Sequence, residues 1–228
     1  SRDQPYVYNI GFGDNTSLFV STGNLNTVFN NKGYIIEAED QIYVAIRFTA
    51  SNENNQASGI VSKGLAGLGT DFRIGAFINT GLSNFGYTNN HLTFISVLAT
   101  ENNTTVSFDD IKPGVQLIGN AGVGNAPADV ILNRGESYVI AVTGPTFANR
   151  DGLIGSLVSS DKPIVVNCGS FAGTNGNVDN NLDLGIDQIV SAERTGTEYI
   201  FVRGFGDDLT ERALIVAHEN ATEISING

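Results

Sequence analysis

The chain has 228 residues, with twelve Lys plus Arg against 24 Asp plus Glu and a formal net charge of −12. That length allows one large domain or two small ones, and either can bury a core. The acidity and the scattered cations argue against a nucleic-acid partner, and the longest apolar runs, "ALIVA" and "PIVV", are far too short to span a bilayer.

Asn and Gly are the telling residues, at 26 and 27 copies. Both tolerate left-handed backbone and favour turns over helix interiors. There is no Met and no Trp, so a processed or excised piece of a longer protein is expected, with Ser1 set aside as a cloning scar. Cys168 is the only cysteine, which rules out an internal disulfide. An acidic, Asn/Gly-rich, cysteine-poor chain fits a secreted bacterial protein better than a secreted animal one.

In chain order the predicted elements are strands. "QIYVAIRF" (41–48), "LTFISVLA" (92–99), "SYVIAVT" (137–143), "PIVVN" (163–167) and "YIFVRGF" (199–205) are typical. Each is short, rich in Val, Ile, Tyr and Phe, and bounded by Asn, Gly, Asp or Pro. No stretch of eleven residues shows a helical period with caps; "SAERTG" (191–196) has room for one helical turn.

The chain also repeats itself. "ATENNTTVSF" (99–108) returns as "AHENATEISI" (217–226), about 118 residues later. "SLFVSTG" (17–23) falls on "YVIAVTG" (138–144), "EDQIYVAIRFTA" (39–50) on "SDKPIVVNCGSFA" (160–172), and "GTDFRIGAF" (69–77) on "GTEYIFVRGF" (196–205). The order is conserved across all four matches, so two copies of a unit of roughly 120 residues are expected. The first covers 1–125 and the second covers 126–228, with its final strands missing. The expected fold is all-β: two tandem β-sandwich-like repeats of eight or nine strands each. A single closed propeller- or barrel-like superstructure is the alternative.

The second copy carries a recognisable phrase. It has Ser160, Asp161, Pro163 and Ile164 on one strand, then Asp187 and Gln188 leading to Gly196, Tyr199 and Ile200. Glu219, Asn220, Thr222, Ile224, Asn227 and Gly228 close it. This pattern resembles the N-terminal domain family of IgGFc-binding protein, found in mucus-associated animal proteins and in large secreted surface proteins of gliding bacteria. The resemblance implies recognition or adhesion and brings no catalytic residues with it. The cysteines of the animal branch are absent, which favours the bacterial surface branch over antibody Fc binding.

Four clusters are weighed as sites. "NGNVDNNLDLGID" (175–187) gathers Asp179, Asn181, Asp183 and Asp187, hard oxygen ligands suited to Ca²⁺, with Gly185 for a tight turn; the bland reading is a solvated acidic loop. "LSNFGYTNN" (82–90) offers Phe85, Tyr87 and Asn89 to a ligand such as a sugar, or else plugs the end of a sandwich. Asp109 and Asp110, with Glu101 nearby, form a carboxylate pair but read as turn residues before Pro-Gly. Cys168 with His218 is a formal nucleophile–base pair, yet Cys168 lies in a β-branched run and reads as a buried, inert thiol. "GNAGVGNA" (119–126) lacks the Lys-Ser/Thr of a phosphate loop. The Asn-x-Ser/Thr sequons at Asn15, Asn102, Asn103 and Asn220 read as turn chemistry.

The reading is therefore a non-enzymatic extracellular recognition or adhesion module of a bacterial cell-surface protein. Its partners would be a surface glycan or protein and neighbouring repeats of a longer parent. A structural spacer in a surface filament is the alternative, and a carbohydrate-active enzyme comes third.

Overall fold

A computed structural model describes residues 4–10, 20–49, 57–79, 93–119, 127–143, 147–173, 183–202, 204, 206 and 211–226. The chain is all-β, and among the described residues there are nine strands with only 3-10 turns beside them. β1 (Ala45–Thr49) and β2 (Ala57–Val61) form an antiparallel pair. The other seven share one sheet: β3 (Gly69–Arg73), β4 (Thr93–Ala99), β5 (Thr104–Asp109), β6 (Val130–Leu132), β7 (Ser137–Val142), β8 (Leu157–Gly173) and β9 (Asp183–Ile189).

β8 organises the sheet. It is 17 residues long and pairs antiparallel with four strands. On one side, β4 lies against its later half (Ala99 opposite Ile164) and β5 against its earlier half (Val106 opposite Ser160). On the other side, β9 takes the later half (Cys168 opposite Asp187) and β3 the earlier (Phe72 opposite Val158). β7 and β6 line up in the same way beyond β4 and β5. The sheet is thus four long runs laid side by side, and two of them pause at the level where β8 passes Asp161–Pro163.

That level is a crease, and its residues explain the bend. Pro163 has no N–H to give to a ladder. Asp161 Oδ1 accepts from the Thr105 amide at 2.8 Å, and Lys162 Nζ donates to the Asn102 and Asn103 carbonyls at 2.5 and 3.0 Å. Thr100 Oγ1 donates to the Pro163 carbonyl at 2.6 Å, and the Arg134 amide donates to Asn102 Oδ1 at 3.0 Å. Asn103 takes a φ of 53°, a left-handed value that Asn tolerates. The sequons at Asn102 and Asn103 therefore serve a turn, as their sequence suggests.

Folding along the crease encloses the core. Phe72, Ile95, Val97, Val106, Phe108, Leu132, Ile140, Val158, Ile164 and Val166 join one buried cluster drawn from both halves of the sheet. The sheet is curled but open, as a sandwich is and as the closed alternative is not. One edge is partly covered, since residues 26–29 and 117–118 hydrogen-bond along β7.

Strands from both sides of position 125 pair with each other: β4 with β7 and β8, β5 with β6 and β8. Nine strands are found among the described residues, where eight or nine are expected in each copy. "YIFV" (199–202) and the flanks of "HENA" (218–221) read as strands, yet among the described residues they belong to none. Alternation gives a segment the capacity to pair; it does not supply the neighbour.

Candidate functional site

Several loop boundaries meet at one end of the sheet. β4 begins there, since Thr93 stands opposite Val142, the last residue of β7, and Phe94 opposite Gly169. β8 ends there and β9 begins, with Gly173 opposite Asp183. The segment after β3 arrives at the same place: the Phe77 amide donates to Ser170 Oγ at 3.2 Å. The described residues that flank 80–92, 144–146 and 174–182 are therefore neighbours.

Two buried asparagines hold this rim together. Asn79 Nδ2 donates to the Phe77 and Arg150 carbonyls at 3.0 and 2.9 Å. Asn149 Nδ2 donates to the Gln116 and Thr143 carbonyls at 3.1 and 2.7 Å, and its Oδ1 accepts from the Gln116 amide at 2.8 Å. Where ladders run out, a side-chain amide replaces the missing backbone partner. Two further features adapt the rim. Gly185, expected to serve a tight turn, lies inside β9, where an added Cβ would stand 2.3 Å from the Phe77 ring; it is a packing glycine. Arg150 is buried, and its guanidinium lies 3.9 Å over the ring of Phe147, which is 74% exposed. No sequence pattern signals that pair, because the ring opens a short 3-10 turn, Phe147–Asn149, and the cation follows it directly, with no periodicity.

The predicted site residues fare differently. Phe85, Tyr87 and Asn89, like His91, lie outside the described residues, as do Asp179 and Asn181. Asp183 is the first residue of β9, and Asp187 lies four residues further along the same strand. Four residues of strand span about 13 Å, whereas calcium ligands all lie about 2.4 Å from the ion. Asp187 is engaged elsewhere: its carboxylate pairs with Lys63 at 3.2 Å, beside the Lys63 amide that donates to Gln188 Oε1 at 2.5 Å. The acidic-plus-Gln dipeptide ties β9 to the chain leaving β2. Among the described residues no three His, Cys, Asp or Glu side chains are grouped to hold a metal.

The nucleophile and carboxylate candidates are structural. Cys168 is buried in the middle of β8, and burial pushes its thiol up to about 12. His218 stands 3.8 Å from Glu219 on an exposed turn. Asp110 pairs with Arg73 at 2.5 Å and takes a φ of 53°, so the Asp109–Asp110 pair closes a turn after β5. Glu193 is a carboxylate that sequence reasoning passed over. Its carboxyl is pulled down to about 2, first by a hydrogen bond with Ser191 and further by Thr70. Thr70 Oγ1 donates to it at 2.8 Å, fastening β3 to the 3-10 turn Ala192–Arg194.

These features define a class: an all-β module with a braced rim. The chain belongs to the IgGFc binding protein family, whose model matches residues 57–228. No curated protein matches the chain, and no solved structure does. No helix among the described residues is long and apolar enough to cross a membrane.

Proposed function

We propose that this chain is a non-enzymatic, extracellular recognition or adhesion module of a bacterial cell-surface protein. Its contact face is the loop end of the sheet. Phe85, Tyr87 and Asn89 on 80–92 meet a glycan or protein, and Asp179 and Asn181 on 174–182, with Asp183 at the start of β9, hold Ca²⁺ that stiffens the adjacent segment. One observation carries the reading: the described anchors of both loops, Asn79 and Thr93 for one and Gly173 and Asp183 for the other, share one braced rim. Loops on a rigid scaffold are where binding residues concentrate. An aromatic face suits a sugar ring.

A structural spacer is the second reading. It is favoured by where the family's motif residues lie. Ser160, Asp161 and Pro163 build the crease, and Asp187 and Gln188 tie two hairpins, so the shared pattern maintains the framework.

The test is binding of the chain to immobilised glycans, mucin, antibody Fc and bare glass, with calcium and with chelator. A specific hit that Tyr87→Ala abolishes without lowering the melting temperature supports recognition. Loss of that hit on chelation, or in Asp183→Ala, supports the calcium role. A folded sample that binds nothing on the panel sinks the recognition reading in favour of the spacer.

A further inference from the structure

The turn after β4 recurs near the end of the chain. In the first, Asn103 takes a φ of 53° and Thr104 Oγ1 donates to the Glu101 carbonyl at 2.9 Å. In the second, Ala221 takes a φ of 60° and Thr222 Oγ1 donates to the Glu219 carbonyl at 2.8 Å. The same local device is built twice. The flanks differ. β4 and β5 pair with β8, whereas 211–217 and 222–226 belong to no strand, and Ile215, Ile224 and Ile226 are 53%, 55% and 74% exposed. Tyr199, Ile200, Phe201 and Val202, in the segment that matches β3, are exposed as well.

The front of the chain shows the complementary gap. β1 pairs with β2, a 3-10 turn follows at Gly64–Gly67, and β3 comes next. β8 pairs with β9, a 3-10 turn follows at Ala192–Arg194, and 196–202 comes next. By sequence match and by this order, the stretch 39–49 is the counterpart of β8. β8 has strands on both sides, but among the described residues β1 has β2 alone, and Ile42 and Tyr43 just before it are 57% and 73% exposed. Asp161 accepts the Thr105 amide at the crease, while its counterpart Asp40 is exposed. Among the described residues there is thus a β8-type edge with no β4–β5-type neighbour on it, and a β4–β5-type segment with no β8-type strand beside it. Unpaired edges of this kind recruit strands.

We propose that these two edges recognise each other between copies of this chain: residues 211–226 of one copy add to the open side of 39–49 in a second copy. A second copy is the occupant for a reason visible in the sheet. β4 and β5 come from the first stretch of the repeat and their partner β8 comes from the second, so each back half is completed by the front half of a following copy. Among the described residues no backbone hydrogen bond joins 198–226 to 34–49 within one chain. The register carries over from Leu98 opposite Val165 and Ala99 opposite Ile164. It sets Val216 opposite Tyr43 and Ala217 opposite Ile42. Asp40 would then accept the Glu223 amide. Such a contact is head-to-tail, closing as a dimer or growing as an array.

Cross-linking tests it. Directly opposed strand residues are within disulfide reach, and buried Cys168 stays out of the reaction. Chains carrying only Tyr43→Cys and only Val216→Cys are mixed and oxidised. The expected product is a covalent heterodimer, absent when Val7→Cys, also exposed, replaces Val216→Cys. Light scattering should show the wild-type mass rising toward double with concentration, and Ile215→Glu should stay monomeric with an unchanged circular dichroism spectrum. If the mixture does not cross-link while the double variant Tyr43→Cys/Val216→Cys closes within single chains, the edges complete one another internally and docking between copies is overturned. No cross-link in either case, or a wild type that stays monomeric at high concentration, overturns it too.

Discussion

Glu193 and Cys168 show how far a side chain's surroundings set its chemistry. The Glu193 carboxyl, drawn down to about 2 from 4.5, is bound more tightly as an anion in the folded chain than in the unfolded one. Its contribution is therefore complete above the ordinary carboxylate pKa and is lost as pH falls from about 4.5 toward 2. Melting temperatures taken stepwise through that window should decline for the wild type and decline less for Glu193→Gln. An equal slope in both would remove Glu193 as a source of acid sensitivity. Cys168 moves in the opposite sense. With its thiol pushed up to about 12 by burial, almost no thiolate exists at pH 8, and the thiolate is the reacting form. A thiol reagent should leave the native chain unmodified and label it stoichiometrically in denaturant. Rapid native labelling would mean that β8 opens far more often than its pairing on both sides suggests.

Among the elements, the crease and the rim are where polar side chains matter most. Asn149 makes three hydrogen bonds with the backbone of residues 116 and 143. Asn149→Ala would leave those part-buried groups without this partner, and one orphaned group costs about 1–3 kcal/mol where water cannot reach it. We expect a loss of about 3 kcal/mol, read from a denaturant midpoint at unchanged slope; a loss under 1 kcal/mol would mean that water replaces the amide. The strands of this sheet were legible in the sequence, because Val97, Val106, Ile140 and Val166 stand on the inward face of alternating runs. The crease was not. Asn102, Asn103, Asp161 and Pro163 signal turns, but that they fall at one level follows only from long-range register. The site divides similarly. The Asn-rich loops stood out by composition, and their shared rim depends on β8 reaching both β4 and β9. Asp187 joined the calcium candidates because it is close to Asp183 in sequence, and β9 sets the two four strand positions apart.

At the scale of the whole molecule, protection should be uneven, and its gradient follows from pairing. β8 is flanked by β4 and β5 on one side and by β3 and β9 on the other, and Phe72, Ile164 and Val166 from these strands are buried in one cluster. Its amides open only when the sheet does, so their exchange reports global unfolding. Among the described residues, 35–43, 198–202 and 213–226 belong to no strand and expose Ile36, Tyr43, Ile200 and Ile226, so local opening there breaks no described ladder. Hydrogen exchange on a dilute sample should therefore find β8, β4 and β5 slowest, β1 and β2 intermediate, and these three stretches fastest. The ordering tests the sheet plan itself, because it depends on which strands are central and is indifferent to which ligand binds. Slow exchange throughout 211–226 in a monomer would mean that the segment is paired within its own chain, and the description of its flanks as open would fail. Fast exchange in β8 would remove its central place in the sheet, and with it the argument that one strand holds both loop anchors at a single end.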